Sequence, residues 1–297
     1  MNAQLMTFVV VAEQRNFTRA AELLHATQPA ISQQIQTLET RLGTKLLERS
    51  NKQVQLNRAG EIVYEYAKQM IQLYGQMERL VADLTNSASG TLHIGASFTY
   101  GEYVLPQILA DFVATYPNIT PSISINNTRE VVEQVGAGHL DMGVIEGGHI
   151  NPHVMVKDLA EDTMVIVAAA EHPLSANRGA FNQAALERET WLLREQGSGT
   201  REIADQMFEA LDIHPTAIIE IGSTQAIKES VEAGLGIAVL SESVIRKEIS
   251  LGTLTTLPAL AAPFHRKFST VLRKTSFHTR ATQLFFDFLY ERASTQS

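Results

Sequence analysis

The 297-residue sequence predicts an α/β molecule: a winged helix-turn-helix segment, rich in α-helix, at the N-terminus and a larger two-lobed region behind it. Three observations predict that class. Residues 18–24 and 27–39 read as two short helices around a tight turn, residues 46–56 read as a small hairpin with a polar tip, and strand and helix patterns alternate from residue 91 onward.

Leu5, Phe8, Val9 and Ala12 give a first helix one apolar face, and Asn16 or Thr18 offers a side-chain oxygen to cap the second. In the third helix Ile31, Ile35, Leu38 and Leu42 recur at three- and four-residue steps as a buried stripe, which turns Ser32, Gln33 and Gln36 to the opposite face. Pro29 falls in the first turn, where its missing N–H is no loss. A Ser/Gln face flanked by basic residues suits hydrogen bonds to base edges and leaves phosphate contacts to its neighbours. The candidate DNA contacts are therefore Thr18, Arg19, Thr27, Gln28, Pro29, Ser32, Gln33 and Gln36, with Arg49 and Lys52 on the hairpin, or wing. The plainer alternative is an amide-rich surface helix in an ordinary bundle. Charge weighs against it: residues 1–60 carry seven basic and four acidic side chains, whereas the whole chain has a net charge of −8. That asymmetry confines nucleic-acid contact to the N-terminal end, because the acidic remainder repels DNA.

After the wing, Asn57 is placed to cap a long helix reaching about residue 86. Along it Val63, Tyr66, Met70, Leu73, Met77, Leu80 and Leu84 alternate at three and four residues, a heptad seam that argues for pairing with a second chain. The stripe otherwise packs on its own domain, but a helix this long beside so small a domain would leave apolar surface in water. Residues 87–90 read as a linker. Beyond it strands are expected at 91–96, 122–125 and 142–145, with helices through Val104–Phe112 and residues 131–137, giving βα units and a largely parallel sheet. A second lobe follows with strands near 163–169, 191–193, 217–221 and 237–240, and a strand at 268–272 and a helix at 279–292 return to the first.

Several chemistries have no support. The chain has no Cys, which removes disulfides, thiolate metal sites and thiol nucleophiles, and its nine His show no metal-binding pair at helical spacing. No metal and no cofactor is expected. Gly197-Ser198-Gly199-Thr200 lacks the Lys of a phosphate-binding loop, and Gly234-Leu235-Gly236 lacks the third Gly of a dinucleotide fingerprint. No run approaches a membrane span and no secretion signal opens the chain, so a cytoplasmic location and no membrane partner are expected. What remains is a set of small polar clusters placed after strands and at helix starts: Ser97-Phe98-Thr99, Asn127-Thr128, Glu146-Gly147, Gly197 to Arg201 and Ser223-Thr224. Each alone is equally well a helix cap. Repeated at every such turn, their hydroxyls and free N–H groups point to a shared anion pocket at the carboxyl ends of the strands. Arg194 or Arg201 adds a positive charge, or else holds an internal ion pair with Glu195 or Glu202.

With these residues in place the sequence resembles the LysR-type transcriptional regulators over essentially its whole length. The matching pattern is Phe17-Thr18-Arg19-Ala20-Ala21, Gln28-Pro29-Ala30-Ile31-Ser32, Ile35, Leu38-Glu39, Leu42-Gly43, Leu46 to Arg49 and Ala59-Gly60, with Leu47 where the family usually has Phe and Asn57 where it has Thr. Residues 96–106 and 194–202 further resemble the CysL-type subgroup, linked to sulfite and sulfur assimilation. The resemblance implies a DNA-binding domain at 1–58, a dimerisation helix at 59–89 and an effector domain at 90–297. It implies a periplasmic-binding-protein-like plan for that domain, with lobe I at about 90–162 and 268–297 and lobe II at about 163–267. It also implies a homodimer or homotetramer on an inverted-repeat operator in double-stranded DNA, RNA polymerase as a further partner, and a small anionic effector such as sulfite or sulfate. The effector contacts expected are Ser97, Phe98, Thr99, Asn127, Thr128, Glu146, Arg194, Gly197, Ser198, Gly199, Thr200, Ser223 and Thr224. A small carboxylate effector meets the same donors. A solute-binding protein and an enzyme using Glu146 are weaker readings, the first lacking a secretion signal and the second a nucleophile, base and acid set.

Overall fold

The computed structural model describes residues 3–49, 54–82, 89–148, 151–176, 183–257, 264–275 and 277–296. They fall into two compact units, Met1–Thr85 and Asn86–Ser297.

In the first unit α1 (Ala3–Gln14), α2 (Phe17–Leu23) and α3 (Gln28–Leu42) precede the antiparallel hairpin of β1 (Leu47–Arg49) and β2 (Val54–Leu56), followed by α4 (Arg58–Ala82). Asn16 rather than Thr18 is the cap of α2: its Oδ1 accepts from the N–H groups of Thr18 at 2.8 Å and Arg19 at 3.1 Å. Phe8, Val11, Ala20, Ile31, Ile35, Leu38 and Leu46 close into one core. Leu42, expected to extend the stripe, is 45 % exposed. It is the last residue of α3, and Gly43, in left-handed backbone, turns the chain away before another apolar neighbour meets it. Asn57 caps α4, its Oδ1 accepting from Gly60 N–H at 2.8 Å. Gly60 is required there, because a Cβ would stand 2.1 Å from the Leu46 carbonyl oxygen where the helix start presses on the hairpin. The wing tip with Lys52, Leu84 at the end of the seam and linker residues 87–88 lie outside the described residues.

The second unit opens with β3 (Gly90–Ala96), a π-helical turn over Tyr100–Val104, α5 (Leu105–Thr115), β4 (Ile119–Ile125), α6 (Thr128–Ala137) and β5 (Met142–Glu146). Here the expected βα units hold: β3 pairs in parallel with both β4 and β5. Next come β6 (Val154–Ala169), α7 (Gln183–Glu187), β7 (Thr190–Leu193), α8 (Gly199–Ala210), β8 (Ala217–Glu220), α9 (Thr224–Glu232), β9 (Ala238–Ser241), α10 (Glu242–Leu251), β10 (Leu254–Leu257), β11 (Phe264–Arg273) and α11 (Arg280–Gln296). A seven-stranded sheet runs β10-β6-β11-β5-β3-β4, with β9 also on β6, and every pairing in it outside β3/β4 and β3/β5 is antiparallel. The sheet is therefore mixed rather than largely parallel.

The cause is β6. The strand expected over 163–169 is only the second half of a 16-residue strand. Its first half pairs with β11 in the first lobe, and its second half carries β9 and β10 of the other. In the first half only Val154 and Asp162 are buried, so no alternation in the sequence marks it. The two largest cores of this unit flank the ribbon, one in each lobe. One gathers Leu92, Ile94, Phe112, Met142, Val144 and Phe285, the other Ile166, Trp191, Ile203, Met207, Ile237 and Val239. The parallel pair β7/β8 joins the second lobe through a bridge between Trp191 and Ile237.

Candidate functional site

In the first unit α3 presents Thr27, Gln28, Pro29, Gln33 and Gln36 to solvent, and Thr18 and Arg19 are exposed on α2. Ser32 is half-buried and accepts from the Gln28 amide at 2.9 Å, so these two side chains are aligned on one face before any base is met. The same helix is anchored from behind by Glu39, which is buried and accepts from Lys45 Nζ at 2.8 Å and Leu46 N–H at 2.9 Å. Arg49 ends β1, the strand leading to the wing tip. Along α4 the seam is open in the single chain: Tyr66, Met70, Leu73 and Met77 are each about half exposed, while Val63 and Leu80 are partly covered.

In the second unit Ser97, Thr99, Glu146 and Thr200 are brought together by the fold, all buried. Glu146 closes β5, and Thr99 N–H donates to its Oε1 at 2.8 Å. Its Oε2 accepts from the Thr200 hydroxyl at 3.1 Å and from Arg266 Nη1 at 2.5 Å. Arg266 reaches the Thr200 and Thr99 hydroxyl oxygens at 3.0 and 3.1 Å through Nη1 and Nη2, and donates through Nε to Asp162 at 2.7 Å. Asp162 also accepts from the Ser241 hydroxyl at 2.6 Å. Burial by itself would push the Glu146 carboxyl up, but the Arg266 guanidinium and the Thr99 donors outweigh it and hold the group below the ordinary carboxylate value. The Ser97 hydroxyl adds to the field at Glu146 without completing a hydrogen bond of ordinary geometry, and it has no other partner among the described residues.

The α8 start is built into this cluster. Ser198 caps α8, its Oγ accepting from Thr200 N–H at 3.2 Å, and a Cβ at Gly199 would lie 2.3 Å from the Glu146 carbonyl oxygen. Only glycine lets the helix approach the end of β5 so closely. Thr128 donates to that carbonyl at 2.9 Å, and Arg129 N–H donates to Gly197 O at 3.2 Å across the lobes. A cavity of about 340 Å³ opens beside them, lined by Thr128, Arg129, Gly148, Gly197 and Ser198 among others.

The remaining expected contacts form a second network. Arg194 is buried and bidentate on Glu195, at 2.8 Å from Nε and 2.9 Å from Nη2, and donates to the Thr224 hydroxyl at 3.0 Å. Its guanidinium stacks 4.2 Å over the Phe98 ring, and Asn127 donates to the same Glu195 at 3.2 Å. The Arg194 charge is thus matched inside the protein, the ion-pair alternative open at the sequence level. Ser223 caps α9 by accepting from Ala226 N–H at 3.3 Å. Glu146-Gly147, expected to open a helix, instead ends β5 and leads toward β6.

Arg266 and Asp162 went unrecognised in the sequence. They stand 120 and 16 residues from Glu146 on two strands whose local pattern gives no sign of a site. The one available signal was an arginine two residues ahead of the expected strand at 268–272.

A family model described as bacterial regulatory helix-turn-helix protein, lysR family, matches residues 3–61, and one described as LysR substrate binding domain matches residues 85–294. The HTH-type transcriptional regulator CysL of Bacillus subtilis (strain 168) is 37 % identical over 292 residues, covering 98 % of this chain and 97 % of the relative. A probable RuBisCO transcriptional regulator of Trieres chinensis is 31 % identical, covering 99 % of this chain and 97 % of its own. The crystal structure of full-length CbnR complexed with its target DNA superposes with a TM-score of 0.75 at 24 % identity, covering 99 % of both chains, and so shares the fold.

Proposed function

The chain belongs to the LysR family of ligand-responsive transcriptional regulators, and from that premise we propose that its effector is a small oxyanion of the sulfite or sulfate class and its targets are genes of sulfur and cysteine metabolism. It is a regulator and not an enzyme. The observation that carries the effector reading is the convergence of Thr99 N–H, the Thr200 hydroxyl and the Arg266 guanidinium on a two-oxygen acceptor. Donors so aligned suit an anion, and the Gly197-Ser198-Gly199 turn and Ser97 add further ones. The 37 % identity to CysL supports the sulfur class. A second reading, a small carboxylate metabolite, is favoured by the acceptor itself, since the group these donors hold is a carboxylate.

Residues 1–58 bind the operator in this reading, with Ser32, Gln33 and Gln36 on base edges and Arg19, Arg49 and Lys52 on phosphates. The α4 seam pairs two chains, so two recognition helices face an inverted repeat, and the domain of residues 90–297 extends the dimer to a tetramer that engages RNA polymerase. Calorimetry with sulfite, sulfate and small carboxylates tests the effector. Binding of one class in the micromolar to millimolar range, with a shifted footprint on operator DNA, is the expected result. A footprint that responds to neither class refutes both readings.

A further inference from the structure

The donors that suit an effector anion are already engaged by an anion of the protein's own. Thr99 N–H, the Thr200 hydroxyl and Arg266 Nη1 all terminate on the Glu146 carboxylate, which is 2 % exposed. The buried cluster holds two carboxylates, Glu146 and Asp162, against the single guanidinium of Arg266, so its charge is already one negative in excess. Adding an oxyanion beside an ionised Glu146 would place like charges together out of water, which is strongly unfavourable. An effector therefore reaches these donors by replacing the carboxylate on them. The buried Ser97 hydroxyl, which completes no hydrogen bond of ordinary geometry among the described residues, also bears on the Glu146 carboxylate and passes to whichever anion takes its place.

We propose that Glu146 is the specificity-determining residue of this pocket, an internal anion that competes with the effector for Thr99, Thr200 and Arg266. The inference rests on the reading of this cluster as the effector site. Its consequence is selection: a ligand binds only if it offers these donors a better acceptor than a carboxylate, which favours a compact, multiply charged oxyanion over a monocarboxylate. The main-chain position of Glu146 is held independently by Thr128 and by the close approach of Gly199, so a change confined to the side chain alters the acceptor and leaves the end of β5 in place. Asp162 keeps Arg266 paired when Glu146 is changed.

The test is calorimetry of sodium sulfate and sodium sulfite binding to the full-length protein and to Glu146→Gln, each checked for native circular dichroism. Removing the internal charge is expected to raise affinity for both anions at least tenfold. Equal or weaker binding by Glu146→Gln overturns the competition. Should that variant not fold, Glu146→Ala refolded with and without sodium acetate decides, because a free carboxylate supplied to the emptied donors should restore folding and compete with sulfate. Refolding indifferent to acetate overturns the proposal as well. Oxyanion binding by the wild type with an altered operator footprint, but no gain in Glu146→Gln, defeats the competition alone. A tenfold gain in Glu146→Gln with no oxyanion-dependent footprint in either protein keeps the competition and defeats the effector reading.

Discussion

Arg266 shows how much one side chain carries here. Buried ion pairs contribute little net stability over apolar groups of the same shape, but breaking one by removing a single partner leaves an uncompensated charge. Arg266→Met strips the cation from Glu146 and Asp162 together, and urea unfolding should show a loss of about 3–5 kcal/mol or more. A loss below about 1 kcal/mol would mean the two carboxylates find water or protons in the folded chain. The pH dependence follows from the same groups. The Glu146 carboxyl lies below its ordinary value, so its contribution is complete above the unfolded carboxylate range and is lost as pH falls through the folded value. His278, whose buried Nε2 has no hydrogen-bond partner among the described residues, is held below the ordinary 6.5 by burial and then by Arg273. The unfolded chain therefore takes up that proton first, and stability should begin to fall as pH drops through about 6.5. Thermal melts from pH 8 to 4 should show a steady decline beginning there, and His278→Gln should remove its early part. Glu146 and Thr200 were legible as polar residues at strand ends and helix starts. Their partner Arg266 was not, because an ion pair 120 residues apart in sequence is made by the meeting of β5 and β11, and no local spacing encodes it.

The helices divide the labour of the N-terminal unit. On α3 the exposed amides of Gln33 and Gln36 stand opposite the buried Ile31, Ile35 and Leu38, so changing them leaves the core untouched. Gln33→Ala should cost about 1–3 kcal/mol of discrimination at one operator position while binding to unrelated duplex is unchanged. Lys52→Ala should weaken all sequences alike and reduce the salt slope by about one. Quantitative footprinting at several salt concentrations separates the two, and uniform weakening by Gln33→Ala would contradict its role. On α4, Met70 and Met77 are 55 % and 49 % exposed in the single chain. Asp at either would bury an unpaired charge in a paired seam, a cost of several kcal/mol. Sedimentation of Met70→Asp should show loss of the dimer, and an unchanged mass would exclude this face as the interface. The apolar stripe of α4 was readable because side chains three or four residues apart share one face of a helix. The first half of β6 was not, because its outward side chains give no period to read.

At the scale of the whole effector domain, β6 and β11 run through both lobes as one antiparallel ribbon, while the lobes keep separate cores. A relative rotation of the lobes would have to bend this ribbon and would leave each core intact. The contacts that would resist such a rotation include Arg129 N–H to Gly197 O at 3.2 Å, the Tyr103 hydroxyl to Gln225 at 2.9 Å, Asn127 to Glu195 at 3.2 Å, the Arg194 stack on Phe98, and the Thr200 links to Glu146 and Arg266. Tyr103→Phe removes one of them and should shift the response to effector by a few-fold without changing the unfolding midpoint by more than a degree or two. Small-angle scattering with and without sulfate measures it, and identical profiles for wild type and variant in both conditions would remove Tyr103 from the lobe contact.

The order of the first three helices, the cap of α4, the apolar stripe along it and the βα units of β3 to β5 were determined by the sequence alone. Each depends on residues within a few positions of one another, where periodicity and capping chemistry act. Which of the polar turns faces another, that Arg266 and Asp162 complete the cluster, and that Glu146 rather than solvent takes up its donors were decided only by the tertiary structure. Those contacts form where strands and helices far apart in the chain are packed together, and the energy that fixes them is the cost of leaving charge and hydrogen-bonding groups unmatched out of water.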